Sequence, residues 1–370
     1  MKNILMVAPF ESNGRFNGGI SSYANSIINA HFFEQHGFSI RPLNSSRVKR
    51  SPFSGGHFRL ENVVNFFRTK KSIKKELKNG KYELLYVNTS RRNALLKDLF
   101  LAQKKKKRGA LVLFHIHFAD VTQVFPSNKF ARAIAIHRLK KVSDAIVVLS
   151  SALKDELNAL GFDSRKIYLL RNFFDPKLLG KKPLGKAVGA FGAKRPITFL
   201  FVGSITDRKG IYELLKVFAD LDISYHLLVC GTPNEADGAA AIQKYSSQPN
   251  VSFLGFVEGE AKHRAFSEAD VFVLPTKAEG LPISILEAMR YSLPIISTRV
   301  GAIPEIVDSD FGFVIDPGDQ ERLKECICFY HDFPQMLKEH SVKSFEASKL
   351  YSFDAFCGKM LGIFQSLLPN

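Results

Sequence analysis

The stretch that decides the fold of this chain is AEGLPISILEA, residues 278–288. It follows the apolar segment DVFVLP, residues 270–275, whose length and composition predict a short buried strand. A glycine then permits a tight turn, and Pro282 suits the first position of a helix. The sequence therefore predicts a strand, a turn and a helix, with Glu279 on the turn and Glu287 inside the helix.

This strand-to-helix turn has the chemistry of a binding site for a phosphorylated polyol. Backbone N–H groups at the start of a helix have no partner within the helix, so they favour an anion there. A carboxylate on either side can accept hydrogen bonds from hydroxyl groups, which favours a ligand such as a nucleotide sugar. Taken alone, the stretch is equally compatible with an ordinary capping turn that carries two solvated glutamates.

Apolar strand patterns alternate with helix-length segments along the chain. Such repetition is typical of a parallel sheet wrapped by helices, and here it occurs twice. We expect an α/β fold with a basic N-terminal domain at residues 1–175, a linker rich in glycine, lysine and proline at 176–196, a second domain at 197–350 and a last helix within 351–370. The predicted strands are residues 4–8, 82–88, 110–115, 144–149 and 166–170 in the first domain, and 197–203, 225–230, 251–256, 270–274, 294–297 and 311–315 in the second.

The second half of the chain resembles the retaining GT-B glycosyltransferases of family 4, the glycosyl transferases group 1. In that family two glutamates separated by seven residues recur, as they do here at 279 and 287. Further matching segments follow in the family's order, namely FVGS at 201–204, RKG at 208–210, GAIPEIV at 301–307, GF at 312–313 and PGD at 317–319. The resemblance is strongest across residues 197–325. It implies the GT-B fold, in which two Rossmann-like domains face each other across a cleft and the last helix crosses back to the first domain.

The resemblance also implies roles for the residues of the predicted turn. Glu279 would be a catalytic residue that contacts the sugar hydroxyls of the donor, and Glu287 would bind the ribose hydroxyls. The rest of the donor-binding turn would be Gly280, Leu281 and Pro282. The donor would be a nucleoside diphosphate sugar, which is a substrate, and no cofactor is implied.

Arg208 and Lys209 follow the predicted strand at 197–203. Cations at the carboxyl end of a parallel strand lie where such sheets bind ligands, although a solvated basic turn is an alternative. The resemblance assigns both residues to the donor phosphates and implies that no metal is required. Two Asp-x-Asp patterns, at residues 220–222 and 308–310, are interpreted as surface turns and not as metal sites.

Two further candidates lie in the first domain. Gly18 and Gly19 precede a predicted helix, where glycine lets the backbone approach a phosphate closely, but the three-glycine dinucleotide fingerprint is absent, which argues against a dehydrogenase. His115 and His117 end a predicted strand two positions apart, so both can face a cleft or one can pack in the core. By resemblance, the glycines meet the donor diphosphate, and His117 is the second catalytic candidate because it contacts the donor sugar.

Charge is distributed unevenly along the chain. Residues 1–200 hold 37 Lys and Arg against 12 Asp and Glu, a balance of +25, whereas residues 201–370 have a balance of −8. A basic half of this kind predicts contact with an anionic surface such as a membrane or an acidic glycan. Residues 66–78 resemble an interfacial helix with interleaved lysines, although their apolar stripe also suits a core, and residues 104–108 form a second basic cluster. Nucleic acid is disfavoured because no nucleic-acid-binding module accompanies the charge.

The remaining composition fits an intracellular enzyme. The four cysteines lack the spacing of a disulfide framework or a zinc site. The N-terminal apolar run is too short for a signal peptide, and no segment approaches the roughly 20 apolar residues of a membrane span. We therefore expect a cytoplasmic protein that is peripheral on the inner face of the cell membrane.

These features favour a retaining glycosyltransferase that moves a sugar from a nucleoside diphosphate sugar to a glycan or lipid-linked acceptor in bacterial surface polysaccharide or lipopolysaccharide synthesis. Two alternatives stay open. One is a GT-B enzyme that processes nucleotide sugars without transfer, such as an epimerase, and the other is a basic non-catalytic binding protein of the same fold.

Overall fold

The computed structural model describes residues 1–10, 19–45, 76, 81–89, 92–106, 109–118, 120–174, 195–233 and 236–369. These residues divide into two compact units. The first comprises the described residues up to Phe173 together with those from Phe353 onward. The second comprises Phe174 and the described residues from Arg195 to Ser352.

The first unit is built on a parallel sheet with the strand order β2-β1-β3-β4-β5-β6. The strand order changes direction at β1 and β3, and the carboxyl ends of strands at such a switch point are where sheets of this kind bind ligands. β3 is buried along its whole length, as expected for a parallel strand covered on both faces. The strands are β1 Lys2–Ala8, β2 Phe38–Asn44, β3 Leu84–Thr89, β4 Leu111–Ile116, β5 Ala145–Val148 and β6 Ile167–Leu169.

The helices of the first unit are α1 Gly19–Ile28, α2 Phe32–Gln35, α3 Arg92–Lys106, α4 Val121–Val124, α5 Lys129–Val142 and α6 Ser151–Ala159. The helices α4, α5 and α6 each begin after a residue whose polar side chain caps the helix. The side chains of Asp120, Asn128 and Ser150 each accept a hydrogen bond from a backbone N–H three residues later, which satisfies a donor that the helix itself leaves free.

The second unit repeats this plan with the strand order β12-β11-β10-β7-β8-β9, again all parallel. Its strand order changes direction between β10 and β7, which places the switch point at the carboxyl ends of those two strands. The strands are β7 Ile197–Val202, β8 Tyr225–Cys230, β9 Val251–Gly255, β10 Val271–Leu274, β11 Ile295–Thr298 and β12 Gly312–Ile315. The helices are α7 Ile211–Ala219, α8 Ala236–Tyr245, α9 Gly259–Glu268, α10 Ile283–Arg290, α11 Gln320–Asp332 and α12 Pro334–Ser348.

The two sheets and their helices confirm the predicted α/β fold class. Each predicted strand coincides with an observed one, and β2 is an additional strand that the sequence pattern did not reveal. It lies at the edge of its sheet and buries only Phe38 and Leu43, while Arg41 and Pro42 are exposed. An edge strand tolerates proline, but a strand with so few inward apolar residues gives no alternating signal.

The last helix, α13 Phe353–Leu367, belongs to the first unit. Its Phe364 is fully buried and packs against the rings of Phe33, Phe38 and Tyr86. This helix therefore completes the core of the first unit from the far end of the chain. Within the described parts of the chain, we find no helix with both the length and the apolar character needed to cross a bilayer.

Candidate functional site

The predicted turn lies at the switch point of the second sheet. It connects β10 to α10, and Pro282 is the residue immediately before the first helical position and not that position itself. Gly280 and Leu281 are buried, and the Gly280 carbonyl accepts a hydrogen bond of 2.8 Å from the backbone N–H of Ala302. This backbone contact joins the turn to the segment that follows β11.

Arg208 and Lys209 form a short 3-10 turn after β7, directly beside this loop. The Lys277 N–H donates to the Arg208 carbonyl at 2.8 Å, and the Arg208 Nη1 donates to the Ala278 carbonyl at 2.7 Å. The next residue is Gly210, at φ 70°, where a Cβ atom would lie only 1.9 Å from a carbonyl oxygen of the neighbouring loop. Glycine is therefore required for the two loops to approach this closely.

The Glu279 carboxylate joins the two loops electrostatically. Its Oε1 lies 2.7 Å from the Lys209 Nζ and also accepts a hydrogen bond from the Arg208 guanidinium. Burial raises the pKa of Glu279, but the charges of Lys209 and Arg208 and their hydrogen bonds outweigh burial and hold that pKa below its usual value. Glu279 is therefore ionised, and it shares one oxygen between two cations.

Glu287 occupies the second turn of α10 and is almost fully buried. Its Oε1 lies 2.6 Å from the Nζ of Lys262, which belongs to α9. The sequence analysis did not identify Lys262, because a single lysine on an amphipathic helix is usually a solvated residue. Only the tertiary contact reveals that it is paired with one of the predicted ligand-binding carboxylates.

The histidine pair of the first unit lies at the end of β4. The two rings stack with centroids 4.1 Å apart. His115 is fully buried, and its Nδ1 lies 2.8 Å from the Tyr86 hydroxyl and 3.1 Å from the Tyr23 hydroxyl. His115 is thus one of the core residues of the first unit.

His117 differs from its neighbour because it lies beyond the last residue of β4. Its Nε2 donates a hydrogen bond of 2.9 Å to the Asn88 Oδ1 at the end of β3, so in the neutral ring Nδ1 is an acceptor. Burial lowers the pKa of His117 to about 3. A ring with this pKa stays neutral at physiological pH, which suits hydrogen bonding to a hydroxyl better than proton transfer.

The glycine pair is only partly within the described residues. Gly19 is the first residue of α1 and is exposed there, close to the carboxyl end of β1 in the chain. Gly18 lies outside the described residues, as do residues 66–75 and 77–78 of the predicted interfacial stretch, and the side chains of the 104–108 cluster are likewise not described.

A metal site is not found among the residues that the structure describes, since no three His, Cys, Asp or Glu side chains there are suitably grouped. At the second Asp-x-Asp pattern, the Asp308 side chain accepts the backbone N–H of Asp310 at 2.8 Å, as in an ordinary turn. The positive charge beside Glu279 comes from Arg208 and Lys209.

The family of the chain is shown by two matches. Residues 190–332 match the glycosyl transferases group 1, and residues 30–178 match glycosyltransferase family 4, so that together the two matches cover more than three quarters of the chain. The chain belongs to the group 1 glycosyltransferases. The candidate site of the second unit lies within the first of these matches, and the histidine pair lies within the second.

The relatives of this group 1 chain share only a low sequence identity with it. An uncharacterized 41.2 kDa protein in the cps region of Klebsiella pneumoniae is 23% identical over 351 residues, which cover 90% of this chain and 94% of that protein. The amylovoran biosynthesis glycosyltransferase AmsK of Erwinia amylovora is 26% identical over 197 residues, which cover 50% of this chain and only 47% of that protein.

Solved structures agree with the fold. Sucrose-phosphate synthase from Thermosynechococcus elongatus superposes with a TM-score of 0.78 and 19% identity, covering 99% of each chain. HepE of Anabaena in complex with UDP-glucose superposes with a TM-score of 0.71 and 16% identity, covering 99% of this chain and 100% of that one. The group 1 chain therefore has the two-domain, Rossmann-like GT-B fold.

Proposed function

We propose that this chain is a retaining glycosyltransferase that transfers a sugar from a nucleoside diphosphate sugar to a glycan or lipid-linked acceptor of a bacterial surface polysaccharide or lipopolysaccharide. The observation that carries the proposal is the convergence of Arg208 and Lys209 on the ionised Glu279 at the switch point of the second sheet. Cations and carboxylates side by side suit a ligand that presents phosphates next to hydroxyls.

The donor half of the site follows from this arrangement. Arg208 and Lys209 bind the diphosphate and stabilise the negative charge that it gains on departure. Glu279 then accepts hydrogen bonds from the sugar hydroxyls, Glu287 does the same for the ribose, and the turn at Gly280, Leu281 and Pro282 holds the sugar beside the helix start. In the first unit, the neutral ring of His117 can accept a hydrogen bond from a hydroxyl group through Nδ1.

The reaction itself breaks the bond between the anomeric carbon and the diphosphate while the acceptor oxygen bonds to that carbon on the same face. The acceptor proton passes to the departing phosphate oxygen. Glu279 is a poor nucleophile because two cations share its oxygen, which favours this direct route over a covalent sugar intermediate. Two side-chain cations supply the positive charge at the diphosphate, so we propose that no metal is required.

The relatives support the choice of substrates. One lies in a cps region, another is named for amylovoran biosynthesis, and the similar HepE structure holds UDP-glucose. An epimerase would instead produce sugar isomers with no acceptor present, and a binding protein would release no nucleoside diphosphate from any donor.

The deciding experiment is NMR of the purified protein with UDP, GDP and ADP sugars in the presence of EDTA. We expect one donor to release its nucleoside diphosphate and to yield a sugar product with the anomeric configuration of the donor. An isomerised donor, an inverted product, or silence in both turnover and saturation-transfer experiments would each contradict the proposal.

Glu287→Ala is the matched variant for that assay. We expect about a 10- to 100-fold loss of kcat/KM, since the donor loses charge-assisted hydrogen bonds, while the circular dichroism spectrum is kept. The control is Glu321→Ala, an exposed glutamate in the first turn of α11. An unchanged kcat/KM in Glu287→Ala would refute the assignment of this residue.

We further propose that the first unit contacts an anionic membrane surface. Helix α5 carries the cations Lys129, Arg132, Arg138, Lys140 and Lys141 and contains no acidic residue. Its Phe130 is 76% exposed, a large apolar side chain beside several positive charges. Cations around a protruding aromatic ring are typical of a surface that rests on anionic lipid headgroups.

A further inference from the structure

An ion pair with a buried carboxylate lies between α9, which connects β9 to β10, and α10, which follows β10. Glu287 on α10 is 3% exposed, and its Oε1 is 2.6 Å from the Nζ of Lys262 on α9. A carboxylate taken out of water is costly unless an opposite charge and hydrogen bonds compensate it. The ammonium group of Lys262 therefore stabilises the ionised form of Glu287.

The same ammonium group lies at the ligand-binding edge of the sheet. Glu287, which Lys262 contacts, lies in the second turn of α10, and α10 follows the carboxyl end of the parallel strand β10. The charge of Lys262 also opposes the rise that burial causes in the pKa of Cys230, to about 12, at the end of β8. Ligands of such sheets bind at these carboxyl ends.

Lys262 is also only partly buried. Its side chain is 25% exposed, against 3% for Glu287. The lysine therefore reaches the carboxylate from the solvent side of the pair. If Lys262 only filled space in the protein, its ion pair with Glu287 would add no stability, because two apolar side chains of the same size pack at least as well as such a pair.

We infer that Lys262 is a positioning residue for the donor, because it fixes Glu287 in the ionised form and in the orientation that accepts the ribose hydroxyls. The inference rests on the proposed function, since Glu287 binds ribose only if the ligand is a nucleotide. Lys262 lies outside the motif of two glutamates. Its proposed role is in binding the nucleoside before the reaction and not in the chemical step.

The test is isothermal titration calorimetry of the full chain with UDP, GDP and ADP. For the nucleotide that the wild-type protein binds, we expect Lys262→Met to raise the Kd about tenfold, and Lys262→Arg, which keeps the charge, to stay within about threefold. With the corresponding donor sugar, KM should rise while kcat changes less than about twofold, because the ribose contact exists before and during the reaction. Lys343→Met, on a lysine of α12 whose side chain is 42% exposed, is the control and should bind as the wild type does.

A second pair of variants separates positioning from folding. Glu287→Gln and the double variant Lys262→Met with Glu287→Gln both lack the buried carboxylate. In the single variant the partly exposed ammonium of Lys262 can still contact the glutamine side-chain oxygen and water, so neither variant leaves a buried carboxylate unpaired. The two should bind the nucleotide with equal Kd, because Lys262 acts only through Glu287.

The outcomes distinguish the role of Lys262 from the proposed function. Wild-type affinity in Lys262→Met, or a further tenfold loss in the double variant, would overturn the role of Lys262 alone. If the wild-type protein binds none of the three nucleotides, the proposed function fails and this inference fails with it.

Discussion

Glu279 is the residue on which the candidate site depends most. It shares a single oxygen with Arg208 and Lys209, whose positions in the chain are about 70 residues away. The carboxylate thereby offsets part of the positive charge of both cations. In the proposed reaction the donor phosphates share these cations with Glu279, so the same three residues join the two loops and contact the donor.

A first prediction concerns the two cations. We expect Arg208→Gln and Lys209→Gln each to lower kcat/KM by about 100- to 1,000-fold, because each removes positive charge from the departing diphosphate. The measurement is release of nucleoside diphosphate from the donor identified by NMR. Arg299→Gln, an exposed arginine paired with Asp316, is the control. A loss below about twofold in both variants would remove these residues from the reaction.

A second prediction concerns the buried histidines. Burial lowers the pKa of His117 to about 3, and it lowers the pKa of His115 as well. In the unfolded chain both histidines become protonated as pH falls below about 6.5, whereas in the folded protein they stay neutral until a lower pH. Their contribution to the free energy of unfolding is therefore complete above pH 6.5 and is lost as pH falls from 6.5 toward 3. The slope cannot exceed about 1.4 kcal/mol per pH unit for each histidine.

Urea unfolding at pH 7, 6, 5 and 4 measures this contribution. The wild-type free energy of unfolding should fall more steeply between pH 6.5 and 4 than that of His117→Gln. Exposed His137 on α5 provides the control variant His137→Gln, which should follow the wild type. Parallel curves for the wild type and His117→Gln would contradict the depressed pKa.

At the scale of elements, α13 shows how a distant segment completes a unit. Its Phe364 fills a space lined by rings from α2, β2 and β3, and Phe356 packs against Tyr23 of α1. The helix therefore contributes core packing to the unit whose other described residues end at Phe173.

This packing leads to a third prediction. Phe364→Ala should lower the free energy of unfolding of the first unit by about 3–5 kcal/mol, since it removes a large ring from a packed core. Leu350→Ala, at a side chain that is 70% exposed, should change it by less than about 0.5 kcal/mol. Circular dichroism in urea measures the free energy of unfolding of both variants. If Phe364→Ala lowered it as little as Leu350→Ala does, α13 would not be part of that core.

At the scale of the whole molecule, the uneven charge is the main feature. The +25 balance of residues 1–200 contrasts with −8 for the remainder, and among the described helices α5 combines cations with an exposed phenylalanine. A charge difference of this size orients a molecule near an anionic surface, because attraction acts on one half and weak repulsion on the other.

A fourth prediction follows for vesicles. The protein should sediment with phosphatidylglycerol vesicles but not with phosphatidylcholine vesicles, and 0.5 M NaCl should release it because salt screens exposed charges. Phe130→Ser should weaken the binding several-fold. The control is Phe256→Ser, since Phe256 is 47% exposed in the acidic half. Equal binding to both lipids, or equal binding of both variants, would refute the proposed surface.

The sequence by itself determined the fold class and most of the strands. Alternating apolar strands and amphipathic helices are signals that lie within a few residues of each other, so they can be recognised without knowing the partner of any segment. The same holds for the turn that carries Glu279 and for the basic turn at Arg208 and Lys209. Among the strands that the structure describes, only the edge strand β2 was missed, because its inward side chains are too few to form a pattern.

The tertiary structure alone decided which of these residues meet. β7 lies beside β10, and this neighbourhood brings Arg208 and Lys209 onto one oxygen of Glu279. The packing of α9 near α10 likewise pairs Lys262 with Glu287. Contacts of this kind depend on strand order and on helix packing, which involve residues far apart in the chain and therefore leave no local signature in the sequence.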